Sequence, residues 1–292
     1  MLQCLMSYDL YFDRREPLTE EEFFAYFDGR RNYKRENRQA WYQNEQTGVY
    51  FSFVVPSPGD SEELEKRHQA SFNLNLYRPH FFGLEAAPEL DAFVKRFGFT
   101  VIDPQERDSE VFSIERFLSN WNRSNEFGYK ALLNAGQTPR QVQARPSTEL
   151  EAIWRWNYEL PRIQEELGKG VFVPRVVWLN IEGVLNSAVI WGDGIATLIP
   201  AVEKIVIPRN EMAPKKMFSR QRDLCMVEQS QLDRCLAPLE TGKYPLPSRV
   251  PGYRSPPERV KRFVRGLVPE TRKIEGVPMD RVLNAELVRA GA

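Results

Sequence analysis

Thr47-Gly48-Val49-Tyr50-Phe51-Ser52-Phe53-Val54-Val55 is the stretch that decides the fold. A turn dipeptide leads into seven residues rich in β-branched and aromatic side chains, which is the signature of a strand. Ala70 to Tyr77 follows the same logic. Phe72, Leu74 and Leu76 alternate with Asn73, Asn75 and Tyr77, so one face is apolar and the other polar, as in a half-buried strand. Leu5 to Phe12 alternates in the same way and gives a first strand. Asn32 to Asn44, carrying Tyr33, Trp41 and Tyr42, reads as one strand, and Phe99 to Ile102, closed by Asp103-Pro104, as another.

Helices fall between these strands. Thr19 with Glu22 three residues on is a capping box, and Glu20, Glu21 and Glu22 suit the positive end of a helix dipole. Phe23, Phe24 and Phe27 supply the apolar side, and Asp28-Gly29 ends the helix. Pro88 to Phe97, with Leu90, Phe93 and Val94 on one side, reads as a short helix. The order β-α-β-β-β-α-β predicts a split α/β arrangement, an antiparallel sheet with helices on one face.

The rest of the chain begins with a helical middle. Ser113 to Leu133 carries a stripe of Ile114, Phe117, Leu118 and Trp121, and Gly136 to Pro146 is a polar linker. Thr148 with Glu151 is a second capping box, opening a helix through Ile153, Trp154, Trp156 and Asn157. Pro161 kinks or restarts it, and Gly168 and Gly170 end it. Val171 to Ile181, Ser187 to Trp191, Ile195 to Ile199 and Lys204 to Pro208 are apolar runs. Glu182-Gly183 joins the first two and Asp193-Gly194 the next two, so they read as a β-meander. Ser255-Pro256-Pro257-Glu258 starts a last helix with Val260, Phe263, Val264 and Leu267 inside. The class is therefore α+β. Its parts are an acidic α+β region over 1–110, a helical segment over 111–170, and a β-meander with a basic, proline-rich C-terminal region over 171–292.

Charge sharpens the division. The 292 residues hold 40 Lys+Arg against 40 Asp+Glu, a net charge of +0. That neutrality is a cancellation: 1–110 carries 13 basic and 20 acidic residues, whereas 111–292 carries 27 and 20. Composition excludes global disorder and a uniformly basic field for nucleic acid. Three cysteines without a C-x-x-C pair exclude a disulfide framework or a zinc finger, and they point to a reduced, cytoplasmic setting. The N-terminus has no secretory pattern, and no apolar run is long enough to span a bilayer.

No motif for a nucleophile elbow, a phosphate loop or a metal-binding histidine pair occurs. His68 sits in a charged run and reads as exposed, whereas His80, before Phe81-Phe82, reads as packed on aromatics. No metal or cofactor is expected, and the reading leans away from an enzyme. Acidic residues of the N-terminal region, Glu20, Glu21, Glu22, Asp60, Glu62, Glu63 and Glu65, form the expected partner-binding surface, because an acidic face steers association with a basic partner. Trp156, beside Arg155, reads as an exposed ring and joins that set, whereas Trp154 reads as core. Lys215, Lys216, Arg220 and Arg222, and Arg259, Lys261, Arg262 and Arg265, form two basic clusters. They lack the interleaved aromatics of a stacking platform, so a solvated helix face is preferred to nucleic acid.

Thr47 to Phe53 (TGVYFSF), following Trp41-Tyr42-Gln43-Asn44, together with Asn73 to Ala86 (NLNLYRPHFFGLEA), Val173 to Leu179 (VPRVVWL) and Ile205 to Pro214 (IVIPRNEMAP), resembles uncharacterised bacterial proteins of polymorphic-toxin and interbacterial-competition loci. The resemblance implies a cytoplasmic, non-enzymatic immunity protein whose partner is a cognate protein toxin. The alternatives are an enzyme or effector that acts on nucleic acid through the basic C-terminal region, and an adaptor or scaffold.

Overall fold

The computed structural model describes residues 7–56, 68–106, 112–134, 143–216, 219–220 and 222–290. The architecture is α+β, and the chain divides into two compact units. The first is Met1–Leu150 with Asp280–Ala292, and the second is Glu151–Met279. These divisions differ from the sequence reading at 110 and 170. The final segment returns to the first unit, where Leu283 and Asn284 pair in parallel with Ala144 and Arg145.

The first unit is built on strands β1 (Ser7–Asp13), β2 (Tyr33–Glu36), β3 (Gln39–Asn44), β4 (Val49–Val54), β5 (Ala70–Asn75) and β6 (Thr100–Ile102). They form one antiparallel sheet in the order β2-β3-β4-β5-β1-β6. The single strand expected over Asn32 to Asn44 is a hairpin. Asn37, at φ 52°, supplies the left-handed turn that splits it, a conformation asparagine tolerates better than most residues.

Helix α1 (Glu20–Phe27) begins at the expected capping box. The Thr19 hydroxyl accepts from the Glu22 N–H, and the Glu22 carboxylate accepts from the Thr19 N–H. Helix α2 spans Phe81–Phe97, so it starts two turns before Pro88. Proline inside a helix loses its own N–H bond and crowds the carbonyl four residues back, and the burial of Phe81, Phe82, Ala86, Ala87, Leu90 and Phe93 outweighs that cost. Helix α3 (Ile114–Asn134) crosses α2 closely at Gly83, where a Cβ would stand 2.9 Å from the Trp121 ring.

The core of this unit is aromatic. Phe93 lies 4.6 Å from Phe53 and 5.4 Å from Phe12, ring to ring, and Phe117 lies 5.9 Å from Tyr8. Burying rings of this size is the main stabilising term, with a further ~0.5–1.5 kcal/mol from each well-oriented pair.

Helix α4 (Ser147–Leu167) runs through Pro161 without a break. It starts one residue before the expected capping box, so Thr148 lies inside it. The Glu286 carboxylate accepts from the Ser147 N–H at 3.0 Å and holds this end instead.

The second unit contains a mixed sheet of β7 (Val177–Ile181), β8 (Val184–Ile190), β9 (Lys204–Arg209), β10 (Asp223–Glu228) and β11 (Ile274–Val277). Its order is β10-β9-β8-β7-β11. Glu182 and Gly183, both at positive φ, close the β7–β8 hairpin as expected. Asp193-Gly194 does not close a second one, because β8 pairs with β9 in parallel. A parallel pair needs a long crossover, which residues 191–203 provide, so the strands do not form a simple meander. The Asp193 carboxylate is diverted to the backbone N–H groups of Asn210, Glu211 and Met212, at 3.0–3.2 Å. Helix α5 (Glu258–Arg265) packs Val260 and Val264 against Gly194.

A polar and aromatic face on the N-terminal sheet

Strand alternation sends successive side chains to opposite faces of a sheet. In the first unit Tyr8, Leu10, Phe12, Ala70, Phe72, Leu74, Phe51, Phe53, Ala40 and Tyr42 are buried on the face that meets the helices. The alternate positions line the other face. Pairing sets them in a row across five strands. Lys34 stands opposite Trp41, Trp41 opposite Ser52, Ser52 opposite Asn73, and Asn73 opposite Asp9. Lys34 is exposed, Trp41, Asn73 and Asp9 are half-buried, and Ser52 is buried.

This face is held in place by its own contacts. Trp41 stacks on its diagonal neighbour Tyr50, with centroids 5.8 Å apart and planes 18° apart. Arg78 lies over Tyr50, 5.6 Å from the ring centre, and its Nε donates to the Tyr50 hydroxyl at 2.9 Å. The Arg78 backbone is fixed in turn by Asn125. Its side-chain oxygen accepts from the Tyr77 N–H at 2.7 Å, and its amide donates to the Arg78 carbonyl at 2.8 Å. Asp280 lies 3.6 Å from Arg78 Nε. At the other end of the row, Asp9 accepts from Asn73 at 2.6 Å and from the Ser7 hydroxyl at 2.9 Å. A ring pair with a guanidinium over it and, three strands from Trp41, a hydrogen-bonded carboxylate therefore share one face of the sheet.

The residues expected to bind a partner are placed differently. Glu20 is held by Arg35 at 2.9 Å and Arg38 at 2.5 Å, and Glu22 by Arg14 at 2.9 Å. Those two acids serve the cohesion of their own unit. Glu21 is exposed, and Asp60, Glu62, Glu63 and Glu65 lie outside the described residues. Trp156 is not an exposed ring. It is fully buried, and its indole N–H donates to the Pro174 carbonyl at 2.9 Å. Its neighbour Asn157 exchanges two bonds with the Val176 backbone, so this side of α4 is the one that packs. Trp154 is core, as expected.

Trp41, Tyr50 and Arg78 were not singled out from the sequence. The signal was present, because Trp41 is one residue out of phase with the buried Ala40 and Tyr42 in β3.

The two histidines are structural. His68 Nδ1 lies 2.7 Å from an Asp13 carboxylate oxygen and its ring packs at a tilt on Tyr11, so it is half-buried rather than exposed. A pocket of about 340 Å³ beside it is lined by Arg15, Leu18, Glu20, Arg38, His68 and Gln69. His80 is tied to Asn284, which accepts from its backbone N–H at 2.9 Å and donates to Nδ1 at 2.7 Å.

Elsewhere the first unit buries Glu85, which accepts from Tyr42 at 2.8 Å, Asn44 at 2.7 Å and Thr47 at 3.1 Å. The Tyr8 hydroxyl donates to Asp103, and burial pushes its pKa up. Cys225 and Cys235 are buried free thiols. Burial raises both, Cys235 to about 11, so neither is poised as a nucleophile. Among the described residues no group of three or more His, Cys, Asp or Glu side chains is disposed to hold a metal ion, and no helix is long and apolar enough to cross a membrane.

Compared with known proteins, the chain matches no family model, no curated protein and no solved structure.

Proposed function

We propose that this chain is a non-enzymatic binding protein. Its partner is another protein, and its role is that of a cytoplasmic immunity protein that holds and blocks a cognate toxin domain. The observation that carries the reading is the row Lys34, Trp41, Ser52, Asn73 and Asp9, with Tyr50 and Arg78 beside it. Tryptophan, tyrosine and arginine are the residues that dominate protein–protein hot spots. Here they stand on a rigid sheet and are fixed by neighbours before any partner arrives, so little side-chain entropy is lost on association. Polar groups around them match the rim of such interfaces.

The test is co-expression of the full chain with the product of the adjacent gene. A stable complex and rescued growth are expected. Trp41→Ala and Arg78→Ala should each weaken the complex by about 30-fold, the equivalent of a ~2 kcal/mol hot spot. Gln43→Ala, at the exposed margin of the same face, should change affinity by less than about threefold. Failure to form any complex would refute the function. A complex whose affinity ignores Trp41 and Arg78 would refute this face as its seat.

A further inference from the structure

Helix α5 and the turn before it carry a group of cations, most of which form no ion pair among the described residues. Arg254, Arg259, Arg262 and Arg265 are exposed and Lys261 is half-buried. Glu258 is the sole acid between Gly252 and Leu267, and it reaches only Arg265, at 3.6 Å. Arg259, Lys261 and Arg262 form no ion pair among the described residues. Helix α4 in the same chain shows the contrast. Both its arginines hold carboxylates, Arg155 with Glu151 at 2.6 Å and Arg162 with Glu159 and Glu166.

Exposed arginines near a helix C-terminus often serve that helix by meeting its last carbonyls. In α5 that duty is already filled. The buried Arg209 donates through Nη1 to the carbonyls of Val264 at 3.0 Å, Arg265 at 3.2 Å and Leu267 at 3.0 Å. The exposed arginines are therefore free of it.

We propose that this face binds a phosphodiester backbone. Two properties favour nucleic acid over an acidic protein. Val260 and Val264 turn inward, and on the outer side cations outnumber the apolar anchors, which are the half-buried Phe263 and the exposed Val268 just past the helix, whereas protein interfaces are depleted of charge at their centres. Phosphate binding needs no such anchor, since it is driven by neutralised phosphates and released counterions. Arginine, with its forked guanidinium, supplies nearly all of the charge. The contact is not sequence-reading, because nothing here is shaped for a groove. It does not depend on the partner of the sheet face.

The experiment is fluorescence anisotropy with the full chain and labelled short duplex DNA, single-stranded RNA of the same length, or polyglutamate, each titrated from ~50 to ~200 mM salt. Both nucleic acids should bind at low salt. With about three phosphates neutralised, log affinity should fall against log salt with a slope near −2.7 for duplex and −2.1 for single strands. Arg259→Gln with Arg262→Gln should weaken binding at least tenfold and flatten the duplex slope by about 1.8. Arg155→Gln, on α4, should do neither. Three results would overturn the proposal: no binding to either nucleic acid at ~50 mM salt, binding unchanged in the double variant, or binding of polyglutamate alone.

Discussion

Arg209→Met tests what holds the second unit together. Arg209 is fully buried at the end of β9. Its Nε and Nη2 form a two-point pair with Asp223 at 2.8 and 2.7 Å, and its Nη1 serves three carbonyls at the end of α5. Methionine fills similar volume and removes every donor. Taking one partner from a buried pair costs about 3–5 kcal/mol, because the other charge is left uncompensated. Asp223 keeps 18% exposure, so water relieves part of its loss and the lower half of that range applies. The orphaned carbonyls add back about 1 kcal/mol each where water does not reach them. The expected total is about 3–5 kcal/mol, with the α5 amides exchanging first. Denaturant unfolding with hydrogen exchange on the full chain measures both. A loss below about 1 kcal/mol, or α5 amides as protected as before, would refute the assignment of Arg209 as the link between sheet and helix.

Two further outcomes follow from local geometry. Glu270 is lowered to about 2 by its hydrogen bonds with Arg272, whose guanidinium lies 2.6 Å away. A depressed carboxylate contributes stability that is present above its unfolded pKa near 4.5 and is lost as pH falls towards 2. Glu270→Gln should therefore flatten the acid limb of stability between about pH 4.5 and 2, read from denaturation midpoints; an unchanged limb would count against the pair. Gly194, at φ +66°, has Val260 Cγ1 2.7 Å from where a Cβ would stand, whereas Gly29, at φ +73°, has nothing within 4 Å. Gly29→Ala should cost only the left-handed penalty of about 1–2 kcal/mol, and Gly194→Ala about 1–3 kcal/mol more through overpacking. Equal losses in thermal unfolding would contradict the tight seat of α5 on this turn.

Local chemistry was readable wherever one residue type forces one geometry. The capping box at Thr19 and Glu22 forms as read, because both partners lie within one turn. The β4 and β5 alternation places Phe53 and Phe72 inside, 5.2 Å apart, because pleating leaves no other choice. Reading failed where a signal has two physical outlets. Asp-Gly suits a hairpin, yet Asp193 and Gly194 adopt positive φ to hold the backbone at 210–212 and to seat Val260. Pro88 looked like a helix start because a packed aromatic face that repays one missing hydrogen bond is invisible without the sheet beneath it. Trp156 looked exposed beside a charged neighbour, but which side of α4 packs depends on where Pro174 lies.

The sequence by itself determined the α+β class, most strands of the first sheet, the start of α1 and the opposite charges of the two ends of the chain. These rest on period, propensity and composition, which act over a few residues. Tertiary structure alone decided that β8 and β9 run parallel, that the last residues return to Ala144 and His80, and that Glu20 and Glu22 are spent on arginines of their own unit. It also decided that Trp41, Tyr50 and Arg78 meet. Each of those pairings joins residues eight or more positions apart, beyond one helical turn or strand period, and its energy arises only when the fold brings both partners together.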